Sequence, residues 1–334
     1  MRHVNIAVFV PHSGCPNQCS FCNQRAISGH TKQPVPQDVI DACEVALKGG
    51  CEGCFVQLAF FGGSFTAIER GYMVSLLEAA QQYIEKGFLN GGIRISTRPD
   101  FIDDEILTLL KKYGVRAIEL GAQSMDDGVL SLNKRGHTAQ DVRNAARLIK
   151  AHGFELGLQM MTGLWGSCDE DSINTAKEFI ALEPDTVRIY PTVALKNTLL
   201  GEKYVSGEYS PPDLQHSIEL VARLLPMFEE KRISVIRVGL HAQDDVERDY
   251  LAGAYHPALR ELCEGEIYYN KILSALENQP KGNYEITVSP CEISKATGQK
   301  KKNILRLAEL GYSCKVRGSN DIKPQEIRIV TKCF

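Results

Sequence analysis

The feature that most restricts how this chain can fold is a regular alternation of two periodicities. Short apolar runs rich in β-branched residues recur at VNIAVFV (4–10), CFVQLAFF (54–61), GIRIS (92–96), VRAIELG (115–121), FELGLQMM (154–161) and DTVRIY (185–190). Between them, apolar residues return every three to four positions. Ile106, Leu109, Leu110 and Tyr113 do so, and so do Val142, Ala145, Ala146 and Ile149, which is the spacing of one helix face. Asp103 and Thr138 stand where N-caps belong, and Gly114 and Gly153 where helices end. Strands alternating with helices imply βα units and a parallel sheet. Six such units exceed a mononucleotide fold and fall short of an eight-unit barrel. The expected architecture is α/β: a partial (β/α)6 TIM-like barrel with a small C-terminal α/β domain. Its site is expected at the carboxyl ends of the strands.

Beyond about residue 200 the pattern changes. SPPDLQHSIELVARLLPMFEEK reads as a long helix opened by two prolines, and ISVIRVGL as a further strand. YEITVS (284–289), a helix near 300–310 and EIRIV (326–330) read as a separate small unit. The expected domains are a core over 1–200, a barrel-completing helical extension over 201–280 and a small basic domain over 281–334. With 43% hydrophobic and 24% charged residues, the chain can bury a full core, which excludes disordered and fibrous classes. No stretch approaches the ~20 apolar residues of a membrane span, and no long apolar segment marks a signal peptide. A cytoplasmic chain with no membrane partner is expected, and eleven cysteines in so long a chain fit a reducing compartment. The net charge of −3 hides an asymmetry: residues 281–334 hold eleven Lys/Arg against five Asp/Glu. That suits an anionic partner or an ordinary solvated surface.

Directly after the first strand comes PHSGCPNQCSFCNQ, with Cys15, Cys19 and Cys22 inside eight residues. Thiolates this close bind a metal or form a redox pair. One reading is tetrahedral zinc with His12 as fourth ligand. The other is an iron–sulfur cluster: four irons take four cysteines, so three leave one iron open to a non-protein ligand. The other strand ends weigh on the choice. FFGGSF, STRPD, ELGAQS, QMMTGL and YPT follow successive strands, and NKRGHT opens a helix. Polar or glycine-bearing sequence at every strand end fits a ligand site better than a structural zinc knuckle. CEGC (51–54) precedes a strand instead of capping a helix, so buried thiols are expected there. His241 and His256 suit either a substrate contact or a structural place. KATGQKKKN (295–303) could receive phosphate at a helix N-terminus or form a solvated basic face.

CPNQCSFC together with FFGGSF resembles the radical S-adenosylmethionine (SAM) superfamily. More narrowly, GGSFTAI, STRPD, ELGAQS, KRGHT, MMTGL and YPT in this order resemble the radical SAM part of the Elongator catalytic subunit. Oxygen-independent coproporphyrinogen oxidases are a more distant match. The resemblance covers about residues 5–270. Three departures stand out. The first two cysteines are closer together than in the Elongator subunit, Ser96 stands where relatives often carry a glutamate, and no acetyltransferase sequence follows, so acetyl-CoA chemistry is not expected.

The resemblance implies one 4Fe–4S cluster on Cys15, Cys19 and Cys22, with the fourth iron left to SAM. One electron then cleaves the carbon–sulfur bond, and the 5′-deoxyadenosyl radical removes a substrate hydrogen. Gly62, Gly63 and Ser64 would line the methionine amino group, Gln123 and Arg135 would contact SAM, and Gln159 its ribose. Arg135 suits the carboxylate. An electron donor such as ferredoxin or flavodoxin is implied. The expected function is radical SAM catalysis, with RNA reached through the basic C-terminal region as the first substrate class. A tetrapyrrole or other small metabolite is the second reading. A non-catalytic iron–sulfur or zinc-binding module is the third.

Overall fold

The computed structural model describes residues 2–11, 15–16, 18–23, 32–51, 53–241 and 244–331, with the backbone alone at 244 and 245. His12, the candidate zinc ligand, lies outside them. The strands β1 (His3–Val10), β2 (Phe55–Gly62), β3 (Ile93–Thr97), β4 (Val115–Gln123), β5 (Glu155–Thr162) and β6 (Thr186–Pro191) pair in chain order, each parallel to the next. Two further strands, β7 (Val193–Leu195) and β9 (Tyr250–Gly253), make a small antiparallel pair. β8 (Ser234–Val238) joins β6, so the curved sheet has seven strands and open edges at β1 and β8. It is a partial barrel, one strand longer than six βα units supply.

Strands buried on both faces read as nearly continuous apolar runs. Leu58, Ala59 and Phe60 of β2, and Ala117, Ile118 and Leu120 of β4, are fully enclosed. The crossover helices are α1 (Pro36–Lys48), α2 (Arg70–Glu85), α3 (Asp104–Lys112), α4 (Asp127–Leu132), α5 (Ala139–Ala151) and α6 (Asp169–Leu182). Their caps are chemical. The Asp103 carboxylate accepts the Ile106 N–H at 2.7 Å. Thr138 and Asp141 form a reciprocal capping box, with Thr138 N–H donating to Asp141 at 2.7 Å and Asp141 N–H to the Thr138 hydroxyl at 3.2 Å.

Contacts divide the chain into one unit of residues 1–213 and 227–255 and a second of 214–226 and 256–334. The boundary falls at Pro226, inside the helix Leu214–Glu230. This differs from the expected breaks at 200 and 280. β8 belongs to the barrel unit, whereas the helix Leu259–Leu276 buries Tyr268, Ile272 and Leu276 in the core of the second. Those apolar residues need a partner surface, and the sheet of the second unit supplies it with Tyr284, Ile286 and Val288. In that sheet β10 (Gly282–Val288) is central. It runs parallel to β11 (Tyr312–Gly318) and antiparallel to β12 (Arg328–Thr331). The sequence pattern missed β11, because only Tyr312 is fully buried and its outward residues include Lys315 and Arg317.

Candidate active site

The carboxyl ends of β1 to β6 hold the loops singled out by sequence. The cysteine loop is tied down by its own backbone and by the end of α4. Cys22 N–H donates to the Cys19 carbonyl (3.1 Å), and Ser20 donates through its N–H to the Asn133 carbonyl (3.1 Å) and through Oγ to Asn133 Oδ1 (2.7 Å). Arg135 Nη1 donates to Cys19 Sγ at 3.0 Å. Burial pushes the Cys15 thiol pKa up and neighbouring Cys19 adds to it; Arg98, Arg135 and the Ser64 backbone N–H pull it back. Cys15, Cys19, Ser64, Arg98 and Arg135 thus form one neighbourhood, and Cys22 lines the adjoining cavity. Among the described residues no three His, Cys, Asp or Glu gather as a group that could hold a single metal ion.

Gly62 sits at φ +113°, where a Cβ would stand 3.0 Å from the Val10 carbonyl oxygen. Only glycine takes that backbone without strain. The next amide, Gly63 N–H, donates to the same carbonyl at 2.8 Å, locking the glycine pair against the end of β1. Ser64 is buried, and its hydroxyl is spent within the fold: it lies 2.9 Å from Thr97 Oγ1 and accepts Arg98 N–H at 3.2 Å. Its backbone, not its side chain, faces the cysteines.

Gln123 ends β4 in left-handed backbone (φ 71°), beside a register shift against β5. A non-glycine residue held there costs ~1–3 kcal/mol, and such residues cluster at functional sites. Its side chain is buried with Oε1 lacking a partner among the described residues, as are Arg135 Nε, Arg98 Nη1 and His137 Nδ1. Arg135 also donates through Nη2 to the Gly121 carbonyl. His137 Nε2 lies 3.2 Å from the Ala122 carbonyl, so Nε2 carries a proton. Burial, then Arg135 and Arg98, press the His137 pKa down to about 4. Nearly all buried polar atoms in proteins are paired, so four orphans beside Cys15 and Cys19 are what a bound polar ligand would satisfy. With two guanidiniums that favour thiolates and a glycine cradle, the residues present fit a thiolate-held cluster with a polar ligand against it.

Gln159 donates through Nε2 to Ser96 Oγ (2.9 Å) and to Glu119 Oε2 (2.8 Å). Glu119, 1% exposed, is the hub of a buried network. Arg188 reaches it twice, Nε to Oε2 at 2.6 Å and Nη2 to Oε1 at 2.8 Å; Arg94 Nη1 reaches Oε1 at 3.3 Å. Arg94 also holds Glu155 at 2.9 Å and Gln57 at 2.8 Å. Burial alone would lower the Arg188 pKa; Glu119 outweighs it and the guanidinium is held above its ordinary value. Sequence reasoning passed over Glu119, Arg188, Arg94, Arg98 and His137. The signal was present: charged residues inside apolar strands, as in VRAIELG, VRIY and GIRIS, must find partners.

These groups open on a cavity of about 250 Å³. Gln123, Gln159, Ser96 and Arg188 are among its polar lining residues, Phe9, Phe61 and Met161 among its apolar ones, and Tyr190 and His241 also line it. The structure therefore brings His241 to the site, whereas His256 belongs to the second unit. In CEGC, Cys54 is buried and the Cys51 thiol donates to the Ala46 carbonyl at 3.3 Å, away from this cavity.

The radical SAM superfamily model matches residues 9–179, just over half the chain. The chain belongs to the radical SAM superfamily. A model described as the radical SAM C-terminal domain matches residues 184–269. This superfamily carries a 4Fe–4S cluster and SAM, and the chain is accordingly a radical SAM enzyme. Human Elongator complex protein 3 is 33% identical over 231 residues, 62% of this chain and 41% of the relative. A tRNA uridine(34) acetyltransferase from Methanocaldococcus jannaschii is 30% identical over 186 residues, 50% of this chain and 34% of the relative. The chain thus spans well under half the length of these two relatives. Among solved structures, Methanocaldococcus infernus Elp3 with an N-terminal deletion superposes with a TM-score of 0.61, covering 84% of this chain and 66% of that one at 22% identity. At that identity the likeness shows the shared fold. Among the described residues no helix is long and apolar enough to cross a membrane.

Proposed function

We propose that this radical SAM enzyme modifies RNA, with transfer RNA the first candidate. The observation that carries the reading is the likeness to relatives named for uridine 34 of tRNA and for the Elongator complex, beside the Elongator-type motif series in this chain. When bound, the cluster and SAM supply reductive carbon–sulfur cleavage and hydrogen-atom abstraction. Cys15, Cys19 and Cys22 would hold three irons, and Arg98 and Arg135 favour the thiolate form of Cys15. Gly62 and Gly63 allow close approach to the backbone. Gln123 and Arg135 offer their unpaired polar atoms to the amino-acid end of SAM. Gln159 has its amide nitrogen fixed by Ser96 and Glu119, which leaves its oxygen as the acceptor for a ribose hydroxyl. Phe9, Phe61 and Met161 keep water from the reacting atoms. An electron donor such as ferredoxin or flavodoxin supplies the electron.

The basic C-terminal region supports the RNA reading more narrowly than its sequence implied. Lys295 pairs with Glu264 at 3.1 Å, and Lys302 donates to Gln215 at 2.6 Å. Lys300 and Lys301 are exposed, in left-handed backbone (φ 51° and 62°), just before the helix Lys302–Glu309. Of the four lysines in this run, these two have no side-chain partner among the described residues. The test is anaerobic incubation of reconstituted protein with SAM, dithionite and bulk transfer RNA. RNA should stimulate 5′-deoxyadenosine formation, and digestion should yield a mass-shifted nucleoside. Cleavage of SAM that is indifferent to RNA, with every nucleoside unchanged, would refute the reading.

A further inference from the structure

The turn that leaves α4 grips the cysteine loop at three successive residues. Ser20 donates through its N–H to the Asn133 carbonyl at 3.1 Å and through Oγ to Asn133 Oδ1 at 2.7 Å. Two residues further on, Arg135 donates through Nη1 to Cys19 Sγ at 3.0 Å. Its guanidinium also lies over the Phe21 ring, 5.8 Å from the centroid. Nη2 donates to the Gly121 carbonyl of β4, and the Arg135 backbone N–H to the Leu130 carbonyl at 3.0 Å. Main-chain carbonyls therefore fix both the head and the backbone of this residue.

Arg135 is 6% exposed, so water screens its charge little, and a hydrogen bond from a full cation is stronger than one from a neutral donor. Arginine also keeps that charge at every pH the fold survives. Nη1 is committed to the sulfur and Nη2 to a carbonyl, whereas Nε lacks a partner among the described residues. One guanidinium thus has separate atoms for the cysteine and for the amino-acid end of SAM.

We propose that Arg135 raises the reduction potential of the cluster by donating to the sulfur of Cys19, a positioning role beyond its contact with SAM. Uptake of one electron, from an electrode or a donor protein, adds one negative charge to the thiolate-held cluster and breaks no bond. A cation hydrogen-bonded to one of those thiolates stabilises the reduced form more than the oxidised one. The inference rests on Cys19 as an iron ligand. It is independent of the RNA reading, and neither SAM nor RNA enters its test.

Anaerobically reconstituted protein is titrated electrochemically through low-potential viologen mediators, with the reduced cluster followed by electron paramagnetic resonance and iron by analysis. Arg135→Gln should hold as much iron as the parent. Its equilibrium constant for taking up one electron should fall tenfold or more, a drop of about 59 mV or more in midpoint potential. Arg135→Lys keeps the charge without the planar fork and should lie between the two. Lys134→Gln removes the neighbouring cation, which is exposed and screened by salt, and should shift the potential much less. If Arg135→Gln does not fold, Arg135→Lys decides, and iron retained at a lowered potential supports the proposal. Loaded Arg135 variants with the parent's potential, a shift no larger than that of Lys134→Gln, or loss of iron from both Arg135 variants overturns it. Iron that persists in Cys19→Ala overturns it through the ligand assignment instead, so the two failures are told apart.

Discussion

Replacing Glu119 with glutamine keeps the side-chain shape and removes one buried charge. Arg94 would retain Glu155 and Gln57. Arg188 would keep the Phe61 ring 5.3 Å away and the Tyr190 hydroxyl, but no carboxylate. Breaking a buried ion pair from one side costs ~3–5 kcal/mol. Glutamine still accepts one hydrogen bond and Arg188 is 13% exposed, so the lower end, about 3 kcal/mol, is expected. Against a total of ~5–15 kcal/mol and about 2–4 °C per kcal/mol, the melting temperature should fall by roughly 6–12 °C. Glu119→Leu combined with Arg188→Met removes both charges and should be less damaging than the sum of the single changes, by about 1.5 kcal/mol or more. Urea unfolding followed by circular dichroism measures both. Iron content should be unchanged, while SAM affinity falls because the Gln159 amide loses one of its two fixed acceptors. A loss below about 1 kcal/mol, or strictly additive single changes, would show that Glu119 is not the hub of the network.

Four further outcomes follow from the same geometry. Anaerobically reconstituted protein should hold ~4 irons per chain, lost in Cys15→Ala, Cys19→Ala or Cys22→Ala and kept in Cys51→Ser and Cys54→Ser; iron and sulfide analysis checks this, and tightly bound zinc would contradict it. Gly63→Val should abolish formation of 5′-deoxyadenosine with iron content intact, since a branched side chain obstructs the backbone approach. Neutral His137 is favoured in the fold, so its contribution is present above pH 6.5 and lost as pH falls toward about 4; denaturation across that range should show a decline that His137→Asn flattens. Lys300→Glu with Lys301→Glu should remove most of the salt-dependent RNA binding, whereas Lys295→Glu should do less; fluorescence anisotropy across a salt series reads the slope, ~−0.7 per phosphate contact on single strands.

The strands, the helix caps and the cysteine loop were legible because their causes are local. β1 to β6 are short, mostly apolar runs, and Asp103 and Thr138 cap the helices their sequence marks. Three cysteines in eight residues marked a metal or redox site by spacing, and with the glycine pair after the next strand they carried the cofactor chemistry through the resemblance to the radical SAM superfamily. Other features depend on partners far apart in the chain. The hub at Glu119 exists because Arg94, Gln159 and Arg188 come from three other strands, up to 69 positions away. The unit boundary at Pro226 and the placing of the helix Leu259–Leu276 follow from where its buried face finds apolar cover. Lys295 and Lys302 read as free cations in a basic run until Glu264 and Gln215 engage them. Periodicity and spacing determine which elements form and which chemistry they carry; burial decides which charges are neutralised and which are left for a ligand, and that depends on contacts that only the folded chain makes.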